Sequence, residues 1–277
     1  LGSDLANATG DLDENDATGG WFGEAAGDLF GAGENIGQGS FDSDNRSDIV
    51  TASHKNSGND GKVYVLLTGD ITSWPTQYID DAASFMVAGD SGQQQMAGWG
   101  FGTGDLDGDG KDELLVAAPR SNTPSANAGQ VGVFLGSDIA NASFGTTERL
   151  SDASHLITGS TAQDKLGDGE VTVLPDIDGD GYDELAIGGA NMTNSNGSDV
   201  GNLYLISGSD LDDDEADVLA FVSFKGANIG DDFGYAATSP GDLDGDGTPE
   251  LLVSARYGDE ATACLLYTSP SPRDDPL

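Results

Sequence analysis

The nonapeptide Asp105-Leu-Asp-Gly-Asp-Gly-Lys-Asp-Glu113 recurs as Asp176-Ile-Asp-Gly-Asp-Gly-Tyr-Asp-Glu184 and as Asp242-Leu-Asp-Gly-Asp-Gly-Thr-Pro-Glu250. Each copy runs directly into an apolar stretch: Leu114-Leu-Val-Ala-Ala, Leu185-Ala-Ile-Gly-Gly and Leu251-Leu-Val-Ser-Ala. A fourth, eroded copy spans Ser40–Asp48. Successive starts are 65 (40 to 105), 71 (105 to 176) and 66 (176 to 242) residues apart. One unit is therefore repeated, and every unit carries an acidic loop. A fixed period of this kind signals repeated supersecondary units that bury their faces against one another.

With the loop numbered 1 to 9, carboxylates stand at positions 1, 3 and 5: Asp105, Asp107 and Asp109; Asp176, Asp178 and Asp180; Asp242, Asp244 and Asp246. In a tight turn these side chains face a common centre. Position 7, which is Lys111, Tyr182 or Thr248, adds a backbone carbonyl, so its side chain is free to vary. Position 9 is Glu113, Glu184 or Glu250, expected to close the shell through both oxygens. Gly110, Gly181 and Gly247 at position 6 supply the left-handed backbone that carries the chain round the centre. A compact cage of hard oxygens suits Ca²⁺. Without a cation the clustered anions repel one another, so metal binding should stabilise the turn directly.

Other acidic-loop families fail on spacing. An EF-hand needs its bidentate Glu at position 12 and a helix on each side. Position 12 here is Val116, Ile187 or Val253, each inside an apolar run. A calcium-binding β-helix repeats roughly every nine residues, far short of the period seen. The eroded copy has Ser40 at position 1, Asp42 and Asp44 at 3 and 5, Asn45 at 6, Arg46 at 7 and Asp48 at 9. Asn tolerates the left-handed conformation, and Ser still offers an oxygen. Three strong calcium sites are expected, with a fourth that is weaker or absent.

The 277 residues hold 49 acids against 10 Lys and Arg, a formal charge of −39. That balance excludes nucleic acid as a partner, because phosphates need a basic surface. It suits cations, basic partners or a salty exterior, and equally a merely solvated acidic surface outside the loops. Gly, with 42 residues, has about twice its ~7% average share. Together with short apolar runs, this reads as an all-β chain of many tight turns. No apolar run approaches the ~18–20 residues of a membrane span. No leader segment is visible, and the first residue is Leu rather than Met. No Gly-x-Ser-x-Gly elbow, His-Glu-x-x-His pair or phosphate loop occurs, so no catalytic residue is assigned. His54 and His155 read as surface-loop positions. Asn7, Asn45, Asn141, Asn191 and Asn196 open Asn-x-Ser/Thr triplets at a frequency that composition alone supplies.

Superimposed, the units share an order of elements. A Gly-ended strand comes first, at Phe85–Gly89, Leu156–Gly159 and Phe221–Gly226. A polar turn follows, then an apolar residue before a small one: Phe30-Gly31, Met96-Ala97, Leu166-Gly167 and Phe233-Gly234. After the acidic loop and its apolar run comes an alternating strand, at Val63–Leu67, Val131–Leu135 and Leu203–Ile206. Four strands joined as a meander and repeated around an axis describe a β-propeller blade. Small residues such as Gly234–Ser239 suit the crowded axis, and Phe134 and Tyr204 are placed to fill the space between blades. The unit exceeds a WD blade (~40–45 residues) or a kelch blade (~50). The surplus lies in loops such as Pro119–Gly129 and Gly136–Ser154.

The Phe-Gly start, the Asp-x-Asp-x-Asp-Gly-x-x-acid loop and the apolar run ending in Ala117-Ala118-Pro119 resemble the FG-GAP repeat, over residues 17–260. That repeat builds the seven-bladed propeller of integrin α heads and occurs in many bacterial surface proteins. Met96 and Leu166 depart from its Phe; Ala52-Ser53-His54, Gly188-Gly189-Ala190 and Ser254-Ala255-Arg256 depart from its Gly-Ala-Pro ending. Seven such blades need roughly 460 residues, so the resemblance implies a partial propeller of about four blades. These would begin near residues 30, 96, 166 and 233, within a propeller segment 1–263. The resemblance also implies a non-catalytic, calcium-binding adhesion module at the cell surface or outside the cell. Its protein or glycan ligand would dock on long inter-strand loops. Integrins carry calcium hairpins on one rim and ligand loops mainly on the other, which singles out Pro119–Gly129, Asn191–Gly201 and Trp74–Ala83. The alternative is an accessory or catalytic propeller module of a secreted polysaccharide-degrading enzyme or lipase, since fold does not fix function.

Cys264-Leu-Leu-Tyr-Thr-Ser-Pro-Ser-Pro-Arg-Asp274 resembles a sequencing-library transposase adapter translated in one frame. Residues 264–277 are therefore expected to be a non-native tail, although Leu265-Leu-Tyr also reads as strand. The remaining chain then holds no Cys and no disulfide.

Overall fold

The computed structural model describes residues 19–31, 36–71, 76–90, 96–97, 100–189, 200–258 and 264–267. Strands β1 (Gly20–Phe22) and β5 (Thr76–Tyr78) form a parallel pair. The first meander contains β2 (Ile36–Gly39), β3 (Asp48–Ser53), β4 (Lys62–Leu66) and β6 (Phe85–Ala88). The second contains β7 (Phe101–Gly104), β8 (Glu113–Ala118), β9 (Gln130–Phe134) and β11 (His155–Thr158). The third contains β12 (Val171–Leu174), β13 (Glu184–Gly189), β14 (Asn202–Ser207) and β15 (Val222–Lys225). The last sheet has β16 (Phe233–Gly241), β17 (Glu250–Ala255) and β18 (Cys264–Tyr267). The chain is thus all-β, built from four-stranded antiparallel blades, with short connecting helices α1 (Asn56–Asn59), α2 (Gly136–Asn141) and α3 (Ala216–Leu219). Among the described residues no helix is long and apolar enough to cross a membrane.

The Gly-ended strands do not open the sheets, as the sequence suggested. β6, β11 and β15 are the fourth strands of the preceding meanders, and each acidic loop joins a first strand to a second. A periodic sequence has no intrinsic starting point; the hydrogen-bond ladder sets where one sheet stops. His155 likewise opens strand β11 rather than lying in a loop. Strand β18 falls in the stretch read as a tail and pairs with β17, Leu251 opposite Tyr267 and Ser254 opposite Cys264. An edge strand presents unpaired backbone groups, and a run such as Leu265-Leu-Tyr satisfies them.

Side-chain alternation explains where the cores sit. Successive residues of a strand point to opposite faces, so β8 serves two cores at once. Leu114, Val116 and Ala118 join Phe41, Val50, Val63, Phe85 and Phe134 in a cluster shared with the first sheet. Leu115 and Ala117 join Leu185, Ile187, Tyr204 and Ile206 in a cluster shared with the third. A further cluster links Leu203 and Leu205 to Leu251, Val253 and Ala255 of the last sheet. Hydrophobic material therefore lies between sheets, and β8 and β13 are buried along their whole length. Phe134 and Tyr204 occupy the inter-blade positions expected of them. First strands β2, β7, β12 and β16 stack against one another. Gly104 makes that approach possible: a Cβ there would lie 2.5 Å from Cβ of Val173.

The supposed surplus loop Gly136–Ser154 is a brace. It contains α2, the buried Ile139 and Leu150, and strand β10 (Thr146–Arg149), which pairs in parallel with β6. The corresponding connection of the third sheet does the same to β11: Thr158 N–H donates to the Asp214 carbonyl at 3.0 Å and Leu156 N–H to Asp213 Oδ1 at 2.7 Å. The β5–β1 pair repeats the arrangement in the first sheet. Each of these connections reaches back to an outer strand of the sheet before it.

Candidate metal centre

The four loops between first and second strands share one backbone skeleton. Positions 4 and 6 both have positive φ: Ser43 and Asn45 (60° and 63°), Gly108 and Gly110 (74° and 86°), Gly179 and Gly181 (81° and 97°), Gly245 and Gly247 (79° and 97°). Asn45 thus adopts the left-handed conformation expected of it, while position 4 is a second left-handed residue that the sequence argument passed over. Position-5 N–H donates to the position-3 carboxylate at 3.1, 2.9, 3.0 and 3.1 Å in the successive loops. Position-7 N–H donates to the position-5 carboxylate at 2.8 Å in all of them. In the three full copies the position-6 Gly N–H donates to the position-1 Asp at 3.0 Å. These bonds turn the acids inward. Asp176, Asp178, Asp180 and Glu184 bring ligand oxygens within 4.8 Å of one another, as do Asp242, Asp244, Asp246 and Glu250. In the 105–113 loop the convergent set is Asp105, Asp107 and Asp109, without Glu113. No such set forms among the described residues of the Ser40–Asp48 loop.

Position 9 does more than close a cage. Asp48, Glu113, Glu184 and Glu250 are at most 1% exposed. One oxygen of each accepts the position-2 N–H: Phe41 to Asp48 at 3.0 Å, Leu106 to Glu113 and Ile177 to Glu184 at 2.6 Å, and Leu243 to Glu250. The sequence assigned both oxygens of this acid to a metal; in the structure one of them bolts the turn. The second oxygen differs between copies. Asp48 Oδ1 accepts from Thr68 N–H at 2.8 Å, and Glu113 Oε1 from Gly136 N–H at 3.2 Å. Glu184 Oε1 and Glu250 Oε1 are buried with no hydrogen-bond partner, as is Asp105 Oδ1. Leaving a buried acceptor unmade costs ~1–3 kcal/mol, more for a charged group. A cation in the cage would supply the missing partner, so the donor sets fit a divalent ion bound by hard oxygens.

Electrostatics point the same way. Burial pushes Glu113 up to about 7 and Glu184 up to about 8, against the lowering effect of the N–H groups that donate to them. Asp48 is also raised by burial. Asp109 is held below its ordinary value by the hydrogen bond from Lys111, and Asp180 by that from Ser207.

Two further sets of acids escaped the sequence reading. Asp112 and Asp183, at position 8, hold the hairpins together. Ser40 N–H donates to Asp112 Oδ2 at 2.8 Å and Asp112 N–H to the Ser40 carbonyl at 2.9 Å, bridging neighbouring sheets. Asp183 Oδ1 accepts from Asp176 N–H at 3.2 Å. Asp28, Asp164 and Asp231 lie buried two residues before Phe30, Leu166 and Phe233. Asp164, for instance, accepts from the Thr161 N–H at 2.6 Å and its hydroxyl at 2.7 Å. Their even spacing from the Phe-Gly position was the available signal.

The supposed ligand loops part company. Pro119–Gly129 joins a second strand to a third, so it lies at the end of the sheet opposite the acidic hairpins. The described part of Trp74–Ala83 lies between β4 and β6, on the hairpin side, because the connection after a third strand returns to that end. It is also well packed, with Ile79, Ala82 and Ala83 buried. Asn191–Gly201 lies outside the described residues except for Val200 and Gly201.

Residues 97–134 and 233–264 match the family model described as the FG-GAP repeat. Two of the chain's hairpin-bearing units thus match the FG-GAP repeat. The first FG-GAP match takes in β7, its acidic hairpin, β8 and β9, and the second takes in β16, its hairpin and β17. The chain is similar to Integrin alpha-PS2 of Drosophila melanogaster, 30% identical over 171 residues, covering 59% of this chain and 12% of that protein. It is 27% identical over 204 residues to Integrin alpha-V of Gallus gallus, covering 73% and 18%. It is 26% identical over 245 residues to Integrin alpha-5 of Xenopus laevis, covering 85% and 20%. The matched stretches therefore span no more than a fifth of the length of these curated relatives.

Proposed function

We propose that this chain is a non-catalytic FG-GAP propeller segment, 1–263, held by Ca²⁺ in its acidic hairpins and followed by a non-native tail. It would present its opposite rim to an extracellular or cell-surface ligand, a protein or a glycan, in the manner of an integrin-like adhesion module. The observation that carries this reading is the pair of buried, partnerless oxygens, Glu184 Oε1 and Glu250 Oε1, inside convergent acidic sets. A bound ion would supply the positive charge that cancels repulsion among the turn acids. Asp105, Asp107, Asp109 and Glu113 would hold it in one hairpin, with the Lys111 carbonyl. Asp176, Asp178, Asp180 and Glu184 would hold it in the next, with that of Tyr182. Asp242, Asp244, Asp246 and Glu250 would do so in the last, with that of Thr248. Similarity to proteins named integrin alpha supports the adhesive reading, and Pro119–Gly129 is a loop of the proposed ligand rim that lies wholly among the described residues.

Chelation tests the metal. EDTA should lower the melting temperature by several degrees and added Ca²⁺ should restore it; no shift would remove the structural ion from the account. Arrays of immobilised matrix proteins and glycans test the ligand, with calcium-dependent capture expected. Capture that survives EDTA unchanged would argue against a propeller rim ordered by metal.

A further inference from the structure

Two independent features sort the hairpins in the same way. The first is the second oxygen of the position-9 acid. In the 40–48 and 105–113 hairpins a backbone N–H just beyond the third strand, Thr68 or Gly136, donates to it. In the 176–184 hairpin the corresponding Gly208 N–H donates instead to the Asp183 carbonyl at 3.0 Å, and Glu184 Oε1 is left without a partner. Glu250 Oε1 is likewise unpartnered, and the residues that follow the third strand of its sheet, β18, lie outside the described ones. The second feature is the position-7 side chain. Lys111 Nζ lies 2.8 Å from Asp109 Oδ2, and Arg46 Nε 3.7 Å from Asp44 Oδ2. Tyr182 and Thr248 carry no charge, and among the described residues the side-chain donors to Asp180 Oδ2 are hydroxyls, Ser207 at 2.7 Å and Ser209 at 3.3 Å. Over positions 1, 3, 5, 7 and 9 the net charges are −2, −3, −4 and −4 along the chain.

We infer that the hairpins form two classes: 40–48 and 105–113 are neutralised from within, whereas 176–184 and 242–250 depend on Ca²⁺ and fill first. This rests on the calcium reading given above and adds an order to it. Affinity in acidic loops follows ligand charge and rigidity. An ion entering the 105–113 hairpin meets less negative charge and has to displace the Lys111 ammonium from Asp109. It also finds Glu113 already satisfied at both oxygens. The unpartnered Asp105 Oδ1 leaves that hairpin one open ligand, so it binds weakly. The 40–48 hairpin, without an acid at position 1, has no such atom. The first two blades then keep their hairpins at any calcium concentration, and the last two are ordered by it.

Calorimetric titration of the full chain with CaCl2 alone tests the division. Two tight sites are expected, with a third at least about tenfold weaker. Lys111→Met should tighten the third site, which stays weaker than the other two because Glu113 keeps backbone donors on both oxygens. Tyr182→Lys should remove one tight site, while Tyr182→Thr, the side chain used in the 242–250 hairpin, should retain both. All three changes fall on a turn side chain, and near-ultraviolet circular dichroism in excess Ca²⁺ checks that the fold is kept. Three equivalent sites in the unaltered chain, or an unchanged third site in Lys111→Met, would overturn the two classes while leaving calcium binding intact. No heat of binding at any hairpin would overturn both.

Discussion

Position 9 of each hairpin is where burial and charge meet. Glu113 and Glu184 sit away from water, accept a backbone N–H, and have values raised by burial to about 7 and about 8 from the ordinary 4.5. Without metal, the folded chain therefore holds protons that the unfolded chain releases. That contribution to stability is fully present below pH 4.5 and is lost as pH rises through about 7 to 8. In EDTA the melting temperature should fall from about pH 5 to about pH 8, and excess Ca²⁺ should flatten the slope by favouring the ionised form. A melting temperature that climbs across this interval in EDTA would contradict the burial of these acids. The acids themselves were legible from the sequence, since their spacing in a tight turn is local. Which of their oxygens had a partner was not, because the donors Thr68 and Gly136 come from the far end of the next hairpin.

At the scale of the element, the hairpins of the first two sheets are also hydrophobic plugs. Phe41 packs with Leu114 and Val116 of the following sheet, and Leu106 with Leu185 and Ile187 of the one after; both plugs are fully buried. Leu243, at the same position of the last hairpin, is 58% exposed. Leu106→Ala should therefore cost about 2–5 kcal/mol, and Leu243→Ala no more than about 0.5 kcal/mol. Urea unfolding in saturating Ca²⁺ measures both. Equal losses would mean that the plugs contribute nothing specific to the inter-sheet contact. The strands were readable from alternation and Gly endings, down to the inter-blade places of Phe134 and Tyr204. The brace β10 was not: Thr146-Thr-Glu-Arg149 has a partner only because β6 offers it an outer edge.

For the whole molecule, the charge of −39 is set against three cores that lie between successive sheets. Repulsion among the acids works against the compact state. Raising salt shortens the screening length from ~10 Å at 0.1 M to ~3 Å at 1 M. NaCl should accordingly raise the melting temperature of the metal-free chain, and raise it less once Ca²⁺ has cancelled the hairpin charge. A larger salt effect in the calcium-loaded protein would place the dominant repulsion outside the hairpins.

The sequence by itself determined the period, the all-β blade, the inward-facing turn acids and the strand faces, because each depends on residues within one turn or one strand of each other. Only the tertiary structure decided the offset between repeat and sheet, the back-reaching braces and the division of one acidic motif into satisfied and unsatisfied copies. Those depend on which backbone donors distant strands bring to a buried oxygen, and a hydrogen bond across sheets leaves no mark on the local order of residues.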